Sequence, residues 1–456
     1  MKLMKSMDRE ILADAQLART GFEFLAELID RFGARFGGSE NERGAADFVK
    51  EKMIEYQADA AWTEAFDCLA WRRGDTHLVS LGEKDREWDC IALPFCPSGE
   101  IKAPLVYLGD GHPQIYEEKR DAIEGAIVMV TSATPEFYHR TMHRGEKLGR
   151  ALEAGAVGFI WMRGEPGGLP ETGSARFGQP CEVPAISVSY ETGHALLREK
   201  GEDPLHLRIT STNEVFETSS MNVVGELKGT EGDQDVIVVG AHYDGHDISQ
   251  SASDNGAGTA VLLEVLRVLS PHKDRLKRTL RFVAFAQEEM GLMGAEDYAK
   301  RHQDEVAFML NLDGAGRGRT AAFTLQGWPE NVGTFKDFFQ NMFDATTKVG
   351  DQIGLYSDMY PFAVRGMPAA TLTSSEPATK GAPRGYGHTF WDSIDKVNPE
   401  YLQMDASRAA RMLARLVQAE PFPLKPKRPE EIGRQLEAMG YSDVLRHEKR
   451  PLFTHD

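Results

Sequence analysis

Val236-Ile-Val-Val-Gly-Ala-His-Tyr-Asp244 is the stretch that decides how this chain folds. Its apolar run shows no polar alternation, so a strand formed here must be covered on both faces, as strands are inside parallel sheets. The run then stops at a histidine and an acid. Leu280–Ala286, Val306–Leu312 and Ala369–Leu372 are further near-continuous apolar runs of strand length. Apolar positions at helical spacing separate the first three runs, over Thr259–Leu269 and Leu292–Arg301. Strands that alternate with helices need crossover connections. The expected fold class is therefore α/β, with a mostly parallel central sheet flanked by helices.

Upstream, residues 8–56 read as helical. Leu25, Leu28, Ile29 and Phe32 fall on one helical face, Gly37-Gly38 breaks the pattern, and Ser39 with Glu42 three residues on has the spacing of a capping box. From about residue 60 the character changes to short β-like runs. Pro104–Leu108, Ala126–Val130, Val157–Trp161 and Ala185–Ser189 are apolar and β-branched or aromatic, with helical stretches at Arg144–Ala154 and Glu191–Lys200. This second α/β module carries no catalytic-looking constellation of its own. After Glu420, four prolines (Pro421, Pro423, Pro426, Pro429) lead into a short amphipathic tail, read as a surface arm or interface element.

The bulk numbers exclude several classes. A chain of 456 residues suggests two or three domains. A net charge of −18 argues against nucleic acid and against an anionic membrane surface, both of which need clustered Lys and Arg. No apolar run approaches the ~20 residues of a membrane span. The charged start, Met1–Glu10, lacks the apolar stretch of a secretory signal. The expectation is a cytoplasmic protein. Its four cysteines (Cys68, Cys90, Cys96, Cys181) have no metal-binding or redox spacing and read as free thiols.

Chemistry gathers where the catalytic-looking strands end. In an open parallel sheet, ligands bind beyond the carboxyl ends of the strands. His242 follows the first strand, Glu288 and Glu289 the second, and Asp313 the third. Asp254 lies in the loop after the first strand and His388 in the glycine-rich loop after the last. Imidazole nitrogen and carboxylate oxygen are zinc donors. One histidine and one acid per ion, plus a shared acid, make a two-metal site out of five residues. Asp244 is placed to accept the other ring N–H of His242 and fix its tautomer. Of the adjacent Glu288 and Glu289, one can bind metal while the other faces water as a general base.

Val236–Asp244, Ser253–Gly258, Phe282–Glu289, Asn311–Asp313, Ser357-Asp358 and Gly387–Asp392, in this order, resemble the motifs of the zinc aminopeptidase/glutamate carboxypeptidase family. The resemblance covers about residues 216–415, and residues about 96–215 resemble the protease-associated domain such peptidases often carry as a β-rich insert. It implies two Zn2+ ions, with cobalt or manganese as substitutes the ligand set would accept. Asp254 would bridge them, His242 and Asp313 would complete one site, and Glu289 and His388 the other. Glu288 would be the base, and Asp244 would support His242. His246-Asp247 reads as loop, and Tyr386 as a further hydrogen-bond donor or a structural tyrosine.

The implied organisation is 1–95 as the N-terminal helical part of the peptidase domain, 96–215 as the insert, 216–420 as the catalytic domain and 421–456 as a Pro-rich tail. The implied activity is hydrolysis of terminal peptide bonds, an aminopeptidase first, with peptides as substrates and homo-oligomerisation left open. A carboxypeptidase or dipeptidase is the alternative, for which Arg317, Arg319, Arg365 and Arg384 lie near the site loops. A binding protein that has lost catalysis, or a one-metal cyclotransferase, are rivals on the same scaffold. The five ligands and the base are all present here.

Overall fold

The computed structural model describes residues 2–200, 204–232, 235–342, 344, 346–376 and 385–452. Two eight-stranded sheets organise the chain. The catalytic sheet consists of β1 (Ala60–Arg72), β2 (Glu214–Leu227), β3 (Val236–His242), β4 (Leu280–Phe285), β5 (Val306–Asn311), β6 (Thr320–Leu325), β7 (Lys348–Asp351) and β8 (Ala369–Ser375), in the spatial order β1-β2-β4-β3-β5-β8-β6-β7. Its centre, β4-β3-β5-β8, is parallel throughout. Both flanks pair antiparallel, β1 and β2 beside β4 on one side and β6 beside β8 on the other. The sheet is thus mixed, with its parallel part where the continuous apolar runs lie.

Every residue of β3 is buried, because the strand lies between β4 and β5 in the sheet and packs against the helix Ala257–Leu269. Val238 and Val239 are fully buried, and each such side chain stabilises the fold by roughly 1.5–3 kcal/mol. The helix Ala257–Leu269 runs back along the sheet and meets Pro399–Leu416 and the N-terminal helices. Ser39 caps the helix Glu40–Glu55 by accepting from the Glu42 amide. The Glu42 carboxylate departs from the capping-box pattern: it accepts from the Gly38 amide at 2.7 Å and from Ser220 Oγ at 2.8 Å, which ties this helix to β2.

The second sheet includes parallel strands at Gly99–Tyr107, Ile127–Thr131, Gly158–Met162 and Ala185–Val188. It already begins with Thr76–Leu81, which pairs with His206–Ser211. All four cysteines are free. Among the described residues no helix is long and apolar enough to cross a membrane.

The tail is not a surface arm. Helices Pro429–Ala438 and Tyr441–His447 bury Ile432, Leu436, Val444 and Leu445. Trp328 Nε1 donates to the Lys425 carbonyl at 2.8 Å, and Arg176 of the second module donates to that of His447 at 2.7 Å. Gly149 lies so close to the tail that a Cβ there would sit 2.2 Å from the His447 oxygen. The amphipathic pattern of the tail is a core-facing stripe that clamps both modules.

Candidate metal centre

His242 is the last residue of β3, 1% exposed, at the carboxyl edge of the parallel strands. Asp244, just beyond it, does two things. Its Oδ1 lies 3.4 Å from His242 Nδ1, and its two oxygens accept from the amides of Glu288 and Glu289 at 3.1 and 3.3 Å. The same carboxylate that orients the histidine therefore fixes the turn after β4. Gln287 begins that turn in the left-handed region, as do Ser251 and His388 in the other two site loops, with φ between 48° and 64°. Non-glycine residues seldom adopt this conformation, and when they do it is usually where surrounding contacts over-determine the backbone at functional sites.

The loop from His242 to Asp254 is held by Arg35, whose guanidinium is fully buried. It donates to the carbonyls of Tyr243 (2.7 Å), Gln250 (2.9 Å) and Ser251 (3.0 Å). Burial pulls the Arg35 pKa down to about 10, against the attraction of Asp244 and Asp392. Asp392 receives the amides of Ser253 and Asp254 at 2.8 and 3.0 Å. Gly387 completes the fit, since a Cβ there would lie 2.9 Å from Asp254 Oδ2.

These supports bring the five sequence-predicted ligands together. Asp254 turns one oxygen to each of two clusters: Oδ1 is 3.6 Å from His242 Nε2, and Oδ2 is 3.3 Å from His388 Nε2. Asp313 Oδ1 lies 3.9 Å from His242 Nε2, and Glu289 Oε2 lies 3.5 Å from His388 Nε2. Donor atoms of one tetrahedral zinc, with bonds of 2.0–2.1 Å, stand roughly 3.3 Å apart. The donors are buried or half-buried, and among the described residues His242 Nε2 and Glu289 Oε1 have no hydrogen-bond partner. Orphaned imidazole nitrogens beside carboxylates are the donor set zinc requires, so the residues fit a pair of ions.

Charge is distributed unevenly. Burial opposes ionisation of Asp254, but Arg317, His242 and His388 outweigh it and hold its pKa well below the usual carboxylate range. Glu289, likewise against burial, is drawn to about 2 by His246 and His388. Burial also disfavours charge on His388, yet Glu289 and Asp254 raise it to about 9. Glu288 goes the other way: burial pushes it well up despite His242, with Glu289 and Asp358 adding to the push. Two adjacent glutamates are thus shifted in opposite directions, a separation that marks acid–base sites.

Sequence reasoning missed His246, read as loop, whose Nε2 lies 2.9 Å from Glu289 Oε2. No local signal marked it, since residues 243–246 are not helical and the spacing of four from His242 implies no shared face. Asp247 is bound by both arms of Arg73, at 2.7 and 2.8 Å. Of the three such arginines among the described residues, Arg317, Arg319 and Arg365, only Arg317 reaches the centre, 2.9 Å from Asp254 Oδ1. Arg319 pairs with Glu400 and Arg365 with Glu296, while Arg384 lies outside the described residues. The second module closes the site from above. A cleft of about 350 Å³ runs between Arg144, Glu171 and Thr172 on its side and Asp254, Arg317 and His388 below.

A parallel sheet with histidines and acids at its carboxyl edge, roofed by a second module, defines a class that the comparisons make explicit. Residues 222–413 match the model of peptidase family M28, and residues 101–196 match that of the PA domain. Among curated relatives, aminopeptidase YwaD of Bacillus subtilis is 27% identical over 94% of this chain and 90% of its own length. Carboxypeptidase Q of Xenopus laevis is 25% identical over 63% of this chain and 62% of its own. Among solved structures, a peptidase M28 precursor from Shewanella amazonensis SB2B superposes with a TM-score of 0.78 at 23% identity, over 93% of this chain and all of that one. A zinc aminopeptidase from Bacillus subtilis follows with a TM-score of 0.66 at 24% identity, over 87% of this chain and 93% of its own.

Proposed function

We propose that this chain is a zinc-dependent exopeptidase with two ions per molecule, and that it acts first as an aminopeptidase. The observation that carries the reading is Asp254, which offers one oxygen to the His242–Asp313 cluster and the other to the Glu289–His388 cluster. Zinc bound there supplies a Lewis acid and brings the pKa of a coordinated water toward ~7. Glu288 is the base: it neighbours Glu289 in the chain, lines a cavity with Glu289, Asp254 and Asp313, and burial raises its affinity for a proton. It takes the proton of the attacking water and returns it to the leaving amine. Asp244 holds His242 and the Glu288 turn in register. Ser357, donating to Asp313 Oδ2 at 2.6 Å, orients that carboxylate.

The aminopeptidase assignment rests on the relative matched over nine-tenths of its length. One observation favours a second reading, recognition of a free carboxyl terminus. Arg144, Arg317 and Lys396 line the cleft beside Asp254, and arginine forks bind carboxylates well. On either reading the insert, residues about 96–215 with the flanking strand Thr76–Leu81, roofs the site and limits it to chain ends. Hydrolysis of one peptide in N-acetylated and C-amidated forms tests the choice. An aminopeptidase cleaves only the amidated form; cleavage of the acetylated form alone overturns the assignment.

A further inference from the structure

The geometry points to His246 as a fourth side-chain ligand of the ion that Glu289, His388 and the shared Asp254 would hold, an inference that rests on the metal-centre reading above. The ring is fixed from both sides. Its own amide donates to Ser251 Oγ at 3.0 Å, the preceding Gly245 amide donates to the Arg35 carbonyl at 3.0 Å, and the following Asp247 is gripped by Arg73. It is 1% exposed, and among the described residues its Nδ1 has no hydrogen-bond partner. All of its polar reach is through Nε2, which lies 2.9 Å from Glu289 Oε2 and 3.1 Å from His388 Nδ1. Donor atoms of His246, Glu289 and His388 all fall within 4.8 Å of one another.

Proton bookkeeping makes the case for a cation. His388 Nδ1 also lies 3.1 Å from the Thr172 carbonyl oxygen, which only accepts, so Nδ1 must carry a proton and Nε2 is left for metal. If His246 Nε2 is protonated to satisfy Glu289, two N–H groups meet at 3.1 Å. If it is not, its lone pair meets the Glu289 carboxylate at 2.9 Å. Each assignment leaves like polarity in contact inside a buried site, where unpaired polar groups are costly. A cation shared by His246 Nε2 and Glu289 Oε2 removes the conflict: Nε2 gives its lone pair to the ion, and His388 keeps its proton on Nδ1. The centre is then asymmetric. One ion has His242, Asp313 and Asp254; the other has Glu289, His388, His246 and Asp254, and is the one retained longer against a chelator.

X-ray absorption at the zinc edge of the zinc-loaded full chain counts imidazoles directly. Three histidines shared by two ions give about 1.5 imidazoles per zinc, against about 1.0 for the five-residue set alone. The variants His246→Ala and His246→Gln are expected to fall to the lower count. Both should lose the more tightly held zinc with at least about 100-fold weaker affinity in chelator competition, the upper limit of what an outer supporting contact contributes. Glutamine can still donate to Glu289, so recovery of affinity by His246→Gln would assign a positioning role and overturn direct ligation. A parent protein with two zincs and 1.0 imidazole each also overturns it, whatever the variants do. A parent that binds no zinc removes the metal-centre reading itself, a distinct result.

Discussion

Thr172 and His388 are joined by their backbones and by a side chain: the Thr172 amide donates to the His388 carbonyl at 2.8 Å, and the Thr172 carbonyl lies 3.1 Å from His388 Nδ1. The insert thus reaches into the centre and sets the tautomer of a proposed metal ligand. Substituting Thr172→Pro removes the amide and disturbs the carbonyl. Zinc affinity of the chain should fall about 10- to 100-fold, as for other contacts that support a ligating histidine. Chelator competition measures it; parent-like affinity would show that the insert only covers the site.

Glu288→Gln isolates the base. The amide keeps the shape of the side chain but cannot accept a proton, and Glu288 is not among the proposed ligands. Zinc content by elemental analysis should stay at the parent value while kcat drops about 10²- to 10⁴-fold or more. A variant that turned over at the parent rate would place the base elsewhere.

Arg317 sits 2.9 Å from Asp254 Oδ1 and 3.5 Å from Asp313 Oδ1, with Nε on the Ser253 carbonyl. Metal on those carboxylates would free part of this guanidinium for substrate. Arg317→Ala should raise KM for a tripeptide with a free carboxyl terminus by about 10-fold or more, the worth of a charge-assisted hydrogen bond. The same tripeptide as its amide should be affected less. An equal effect on both would confine Arg317 to holding Asp254.

Glu42 gives the fold a pH dependence away from the ligands. It is buried, and burial together with Asp244 raises its pKa from 4.5 to about 8. Between those values the unfolded chain has released a proton that the folded chain keeps. The stabilisation is complete below pH 4.5, declines as pH rises, and is lost beyond 8. In Glu42→Gln, the amide oxygen can accept from Gly38 while its nitrogen donates to Ser220. Its stability relative to the parent should climb with pH across this window, by at most about 1.4 kcal/mol per unit. Urea unfolding at pH 5 and pH 8 measures the gap; a constant gap would contradict the buried, protonated state.

Much of this arrangement was legible because its signals are local. The apolar runs of β3, β4 and β5 end one or two residues before His242, Glu288 and Asp313, so strand period and residue type together mark the edge of the sheet. What escaped the sequence depends on distant partners. Nothing near Glu214 announces that β2 pairs from Glu214 to Glu226 with Ala60–Arg72. His246 looks like loop because the reversal that aims it inward is imposed by Arg35, more than two hundred residues upstream. The stripe Ile432, Leu436, Val444 and Leu445 was visible as amphipathic, but the surfaces it covers belong to two separate modules. Thr172 carries no residue type that suggests a metal site; it acts through its backbone.

Crystals grown with zinc and measured across the zinc absorption edge test the account most directly. Two anomalous peaks about 3.5–4 Å apart, flanking Asp254 with His242 and Asp313 on one side and Glu289 and His388 on the other, are the predicted result. No peak between these side chains, in protein that still hydrolyses peptides, would contradict it.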